Sequence, residues 1–232
     1  MEFKTKEEYV AEFLREGILA GRFPRGERLK QDDIASLLKI SITPVREAFR
    51  ILGAEGYLLS ERHHGVIVAP FDAKTAKELT DLRVLLEERL ISTAIAKITP
   101  ARLKELQDLQ NQLEKASRRG DRVLFRALNY RFHSHLYSIA DMPQTLHFVQ
   151  VLWAKYPFDL IHQVPGRPER ALREHAVLLK ALAARDKKSA LLAARAHIEA
   201  GWNALRKRMD DEGSATAAAS VPMMKKKIAV SP

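Results

Sequence analysis

The stretch KISITPVREAFRIL, Lys39 to Leu52, constrains this chain more than any other. Val45, Ala48, Phe49 and Leu52 fall at i, i+3, i+4 and i+7, which is one apolar face of a helix. Thr43, Arg46, Glu47 and Arg50 occupy the rest of the circumference. Pro44 is tolerated in a first helical turn, where the amide it lacks would have no intrahelical partner. Ser41 or Thr43 can supply the N-cap oxygen. Just upstream, Asp33 to Leu38 forms a second short apolar-periodic segment with Ile34, Leu37 and Leu38. Two short helices joined by a tight turn are either ordinary members of an all-α domain or a helix-turn-helix, whose second helix enters the DNA major groove.

The flanks favour the second reading. Tyr9 to Ala20 has the apolar spacing of an amphipathic helix and is ended by Gly21 and Pro24. Gly53 and Gly56 stop the candidate recognition helix. Beyond them, Tyr57–Ser60 and Val66–Val68 read as two short strands joined by Glu61-Arg62-His63-His64-Gly65, a β-hairpin with a basic tip. Helix, helix-turn-helix and hairpin in this order predict a winged helix over residues 1–70. Lys39, Ser41, Thr43, Arg46 and Arg50 are its candidate contacts to double-stranded DNA.

Charge does not locate that surface. The formal net charge is +10, yet residues 1–70 carry 11 basic and 11 acidic side chains. Residues 71–209 carry 25 and 15, and the tail balances at 3 and 3. Placement points to DNA instead, with Lys39, Arg46 and Arg50 set against the single acid Glu47. The chain has no cysteine, which excludes disulfides and thiolate metal sites and fits a cytoplasmic protein. No apolar run approaches a membrane span, and the N-terminus lacks signal-peptide character.

From Asp72 the sequence reads as nearly uninterrupted helix, with segments expected near 73–98, 101–117, 122–140, 144–156, 169–185 and 187–208. Short connections predict an antiparallel all-α bundle over 71–209. The fold class is thus mainly α, a winged helix-turn-helix followed by a helical bundle. Residues 210–232, Ala/Ser-rich with a Lys225-Lys226-Lys227 run, are expected to be disordered, with DNA contact as a lesser alternative.

Four polar residues stand on apolar stripes of this bundle. Asn129 and His133 are i, i+4 neighbours on the face lined by Phe125, Leu128, Phe132 and Leu136. His175 sits among Leu172, Leu178, Leu179 and Leu182, and His197 with Ala194, Ile198, Gly201 and Leu205. Each is either a satisfied core residue or a ligand; imidazoles with an oxygen donor suit a divalent ion such as Zn²⁺, Ni²⁺ or Mn²⁺. Arg83 also lies on an apolar stripe, with Leu79, Leu86 and Leu90. It either pairs with Glu87 at i+4 or anchors a carboxylate. His135, His147 and His162 show no pattern. Glu174 adjoins His175 but leaves its helix about 100° away.

The segment GRFPRGERLKQDDIASLLKISITPVREAFRILGAEGYL resembles the DNA-binding domain of GntR-type bacterial transcription regulators. That resemblance implies DNA contact by Thr43, Arg46 and the wing's His64 and Gly65. NYRFHSHL, REHAVLLKALAARD and ARAHIEAG resemble the metal-binding motifs of the FCD effector domain in the FadR-like branch. Asn129, His133, His175 and His197 match its four ligand positions, the first of which is more often aspartate. DLRVLLEERL resembles that domain's first-helix motif, which favours Arg83 as an anchor. Three imidazoles and an amide leave a divalent charge uncompensated, which favours an anionic effector such as a small carboxylate. The reading is a homodimeric regulator, not an enzyme, that binds a palindromic operator. By the resemblance it represses until the effector binds.

Overall fold

The computed structural model describes residues 5–61 and 65–219. Helix α1 (Lys6–Leu19) opens with a capping box between Thr5 and Glu8 and buries Val10, Leu14 and Ile18. A two-residue strand β1 (Arg28–Leu29) leads into α2 (Gln31–Leu38) and α3 (Ile42–Glu55). The turn between them is made by Lys39, left-handed at φ 54°, and by Ser41 in extended conformation. Ser41 is the N-cap residue of α3, but its side chain makes no cap hydrogen bond, and Thr43 lies inside the helix. Leu37 does not join the core face of α2; it is 58% exposed. Gly53 stays within α3, and Gly56, at φ 84°, ends it.

Strands β2 (Leu58–Glu61) and β3 (Gly65–Val68) form the expected hairpin. Strand β1 adds to it in the order β1-β3-β2, all antiparallel, with Ile67 opposite both Arg28 and Leu59. Two residues are too few to show a period, so β1 left no signal. The basic tip of the wing, including His64, lies outside the described residues.

A 3-10 turn (Ala73–Thr75) precedes the bundle: α4 (Ala76–Lys97), α5 (Pro100–Arg118), α6 (Arg122–Ser138), α7 (Pro143–Lys155), α8 (Phe158–Ile161), α9 (Arg167–Ala183) and α10 (Lys187–Ala219). Pro is at the start of α5, α7 and α9. Three features depart from the sequence expectation. The short α8 fills part of the expected break, α9 begins at Arg167 rather than 169, and α10 runs past 208 to Ala219. Helix α10 packs on α9 and α4, and α5 packs on α6 and α9.

One hydrophobic core runs through both halves. Val10, Leu14 and Leu52 belong to the same cluster as Leu90, Phe132, Leu136 and Trp153. Polar ties add to it. Arg25 reaches the carbonyls of Ala69, Ala154 and Tyr156 (3.1, 3.3 and 2.7 Å) and the carboxylate of Asp159 (3.1 Å). The Tyr57 hydroxyl donates to the Gln150 carbonyl at 3.0 Å, and the Tyr130 hydroxyl to Glu12 at 2.7 Å. Glu12 pairs with Arg15, which also grips Glu55 at the end of α3 at 2.9 Å. The N-terminal half is thereby seated on α6, α7 and α8.

Candidate metal centre

Helices α6, α9 and α10 bring His133, His175 and His197 together, with one ligand-capable atom from each lying within 4.8 Å of the others. The Nε2 atoms of His133 and His175 are 3.2 Å apart. That is close to the edge of a tetrahedral site with metal–nitrogen bonds of about 2.0–2.1 Å.

The partners of the other ring nitrogens explain why these atoms face each other. His175 Nδ1 lies 3.3 Å from Gln110 Oε1. The amide of Gln110 itself donates to the Leu172 carbonyl and to Glu114, so its oxygen is the acceptor for His175. His197 Nδ1 donates to the Glu174 carboxylate at 2.7 Å. His133 Nδ1 is 3.5 Å from the Tyr137 hydroxyl, whose own proton goes to Glu87 at 2.6 Å. An acceptor at each Nδ1 selects the tautomer with its proton there, leaving three Nε2 lone pairs directed inward. Burial, and then their mutual proximity and nearby arginines, pushes His133 and His175 well below the usual range. His197 is lowered likewise by burial and by Arg167. All three are neutral, as metal ligation requires.

Asn129 lines small cavities with His133 on one side and His197 on the other. Its Oδ1 is buried and has no hydrogen-bond partner. A buried amide oxygen left without a donor is costly, and a cation beside it would supply what it lacks. The donor set of three imidazole nitrogens and one amide oxygen therefore fits a divalent ion.

Arg83 forms a buried ion pair with Glu87 at 2.7 Å and also lines both cavities. The two alternatives for this residue are thus not exclusive. Its guanidinium is stacked over Tyr156 and Phe158, at 4.2 and 4.7 Å from the ring centroids. Burial alone would raise the carboxyl of Glu87; Arg83, Tyr137 and Trp153 outweigh that and hold it below the usual range. The site faces two cavities of about 20 Å³ each.

Several residues around the site carried no clear pattern in the sequence. Glu174 does leave α9 away from His175, but its carboxylate reaches His197 and pairs with Arg167 at 2.8 Å. Arg167 is buried at the first position of α9, in the stretch that reads as a break. His162, patternless by sequence, lines both cavities and donates to the Phe158 carbonyl. Arg126 lines the cavity shared with Leu19 of α1. Two signals were available: Gln110 interrupts the stripe of Leu106 and Leu113, and Arg126 precedes Asn129 by three residues and His133 by seven.

In the DNA-binding half, Lys39, Ser41, Thr43, Arg46 and Arg50 are all exposed. Arg50 pairs with Glu47 at 3.0 Å. Gly65 has φ 77°, and a Cβ there would lie 3.3 Å from Arg28 Nε, so the wing's return strand starts at a position suited to glycine.

Comparison with known proteins gives the same two halves. Residues 6–68 match the gntR family of bacterial regulatory proteins, and residues 78–200 match the FCD domain. The chain is 30% identical over 178 residues to the HTH-type transcriptional regulator McbR of Escherichia coli, covering 75% of this chain and 80% of that relative. It is 29% identical over 192 residues to the probable D-xylose utilization operon transcriptional repressor of Paenarthrobacter nicotinovorans, covering 82% and 84%. Among solved structures, E. coli McbR/YncC superposes with a TM-score of 0.79 at 24% identity, covering 89% of this chain and 100% of that one. A putative GntR regulator from Rhodococcus sp. RHA1 gives 0.67 at 24% identity, covering 86% and 97%. Both structural likenesses bear on the fold. The chain belongs to the GntR family of bacterial regulatory proteins, with an FCD domain as its second half, and is a DNA-binding transcription regulator rather than an enzyme.

Proposed function

We propose that this regulator is a homodimeric repressor whose grip on a palindromic operator is released by a small carboxylate bound at a metal site in the FCD domain. The observation that carries this reading is the convergence of three neutral imidazoles on one point beside a buried, unpartnered amide oxygen. Asn129, His133, His175 and His197 would hold the ion. A divalent ion there supplies positive charge and open coordination positions for a carboxylate oxygen. Arg83, packed over two rings and oriented by Glu87, offers a guanidinium on the same cavities to the carboxylate. Repression is supported by the relative named as the repressor of a D-xylose utilization operon.

On the DNA side, α3 would present Ser41, Thr43, Arg46 and Arg50 to the major groove, with Lys39 at the preceding turn and His64 and Gly65 on the wing. A dimer follows from the logic of palindromic sites, in which protein two-fold symmetry mirrors operator symmetry. Exposed Leu82 and Leu85 on α4 and Leu192 on α10 are apolar surface of the kind self-association covers. Effector control requires that the carboxylate bind one seating of the two halves more tightly than another.

Metal counting tests the reading. Protein stripped with a chelator and reloaded with Zn²⁺, Ni²⁺ or Mn²⁺ should hold about one ion per chain, and His175→Ala should hold none while still melting cooperatively. Titrating the loaded protein with small carboxylic acids, on an operator selected from genomic fragments, should then release DNA. A chain that takes up none of the three ions removes the metal site; an ion-loaded chain indifferent to every acid removes the effector class.

A further inference from the structure

The charges around the centre do not balance by pairs. Arg83 has Glu87 and Arg167 has Glu174. Arg126 is also buried, but among the described residues no carboxylate lies within ion-pair distance of it. Its Nε donates instead to the carbonyl of Ala20, the C-cap residue of α1 in the DNA-binding half. Gly21, at φ 71°, stands against this guanidinium, and a Cβ there would sit 3.1 Å from Arg126 Nη2, tighter than ordinary contact. Desolvation lowers the pKa of Arg126, the expected sign for a buried cation short of a counter-anion.

The same guanidinium lines a cavity with Arg83, Asn129 and His133, and Leu19 of α1 forms part of its wall. About 20 Å³ is room for roughly one water-sized group. A larger group seated there presses on the walls. The histidines are held by Gln110, Glu174 and Tyr137, and Arg83 by an ion pair and two rings. Arg126 is tied by one hydrogen bond to a carbonyl, and Leu19 only by packing.

We propose that Arg126 is the second anion contact of the effector site and the release link to the DNA-binding half. The effector is then an acid with two carboxylates, one at the metal and Arg83, the other drawing Arg126 off the Ala20 carbonyl and displacing Leu19. This rests on the carboxylate reading above and adds the ligand's second charge and the path to α1.

The test uses the full chain loaded with Zn²⁺, titrated calorimetrically with acetate, malonate, succinate and glutarate. Hydrogen exchange is followed in parallel across residues 14–23. At least one diacid should bind tenfold or more tighter than acetate and speed exchange at the end of α1. In Arg126→Gln the diacid-to-acetate ratio should fall towards one and the exchange response should disappear; Arg126→Lys should keep an intermediate ratio. Melting curves establish that each variant is folded, and Arg126→Lys carries the comparison if the glutamine variant is not. A ratio unchanged in the folded variants, or no diacid better than acetate, overturns this proposal and leaves the carboxylate reading standing. Zinc-loaded wild type that binds none of the four acids overturns both.

Discussion

One group, an amide nitrogen in place of a carboxylate oxygen, separates Asn129 from aspartate. Asn129 borders two small spaces lined also by His133, His197 and three arginines, and its Oδ1 is buried. Asn129→Asp places a formal negative charge there and should tighten Zn²⁺ binding by about tenfold or more, on the order of 1.4 kcal/mol, read by competition with a chromophoric chelator. Equal affinity would mean that position 129 does not reach the ion. His162 sets a second expectation. Burial, with Arg167 nearby, pushes its imidazole from 6.5 down to about 3. An unfolded chain takes up that proton near pH 6.5 and the folded chain only near 3, so stability present above this window is lost as pH falls through it. His162→Asn keeps a donor for the Phe158 carbonyl but cannot titrate; its Tm should fall less between pH 6.5 and 4 than that of wild type. Parallel curves would contradict the assignment. At this scale the sequence revealed residues that interrupt an apolar stripe, such as Asn129 and His175. It did not reveal Glu174 or Arg167, whose long side chains reach round their helix to a neighbour. A helical wheel records where a Cβ points, not where a carboxylate or guanidinium ends.

Helix α3 presents its polar side on a base formed by Val45, Ala48, Phe49 and Leu52, all buried. Arg46 is exposed and carries no ion pair among the described residues, which leaves its guanidinium available for a guanine edge. Arg46→Ala should weaken operator binding by about 1–3 kcal/mol and relax preference at one base pair of each half-site. Arg50, 79% exposed and paired with Glu47, is suited to phosphate; Arg50→Ala should weaken all sequences alike and flatten the salt dependence. Anisotropy titrations on operator variants separate the two, and an Arg46→Ala protein with wild-type discrimination would displace α3 as the reading element. The regular helices were legible because they are amphipathic over several turns. Strand β1 and helix α8 were not, since two and four residues carry no period. Helix α10 continues past the expected end through Asp210-Asp211-Glu212 and Gly213 into the Ala-rich run that ends at Ala219, where alanine favours helix and no proline intervenes.

In the molecule as a whole, the division that the sequence suggests at Pro70 is not an energetic one. Arg25 bonds two carbonyls, those of Ala154 and Tyr156, and the Asp159 carboxylate across it, and the hydrophobic cluster is continuous from Val10 to Trp153. Wild type should therefore melt in one transition by calorimetry and circular dichroism. Arg25→Ala removes the polar clamp but not the core. It should lower Tm, split or broaden the transition, and enlarge the radius of gyration in solution scattering; a sharp, unshifted melt would show that packing alone seats the two halves. Helix α6 is central to this arrangement, carrying Asn129 and His133 towards the histidine cluster while Arg126 and Tyr130 bond the DNA-binding half at Ala20 and Glu12. That double duty bears on how new sensors can be assembled from such parts. A chimera joined at Pro70 would bring a foreign α1 against this α6, with no assurance of a glycine to admit Arg126 or a carboxylate for Tyr130. The transplantable unit is the FCD domain together with the α1 surface and the turn after it that α6 touches, so a well-folded hybrid should inherit Glu12, Leu19 and Gly21.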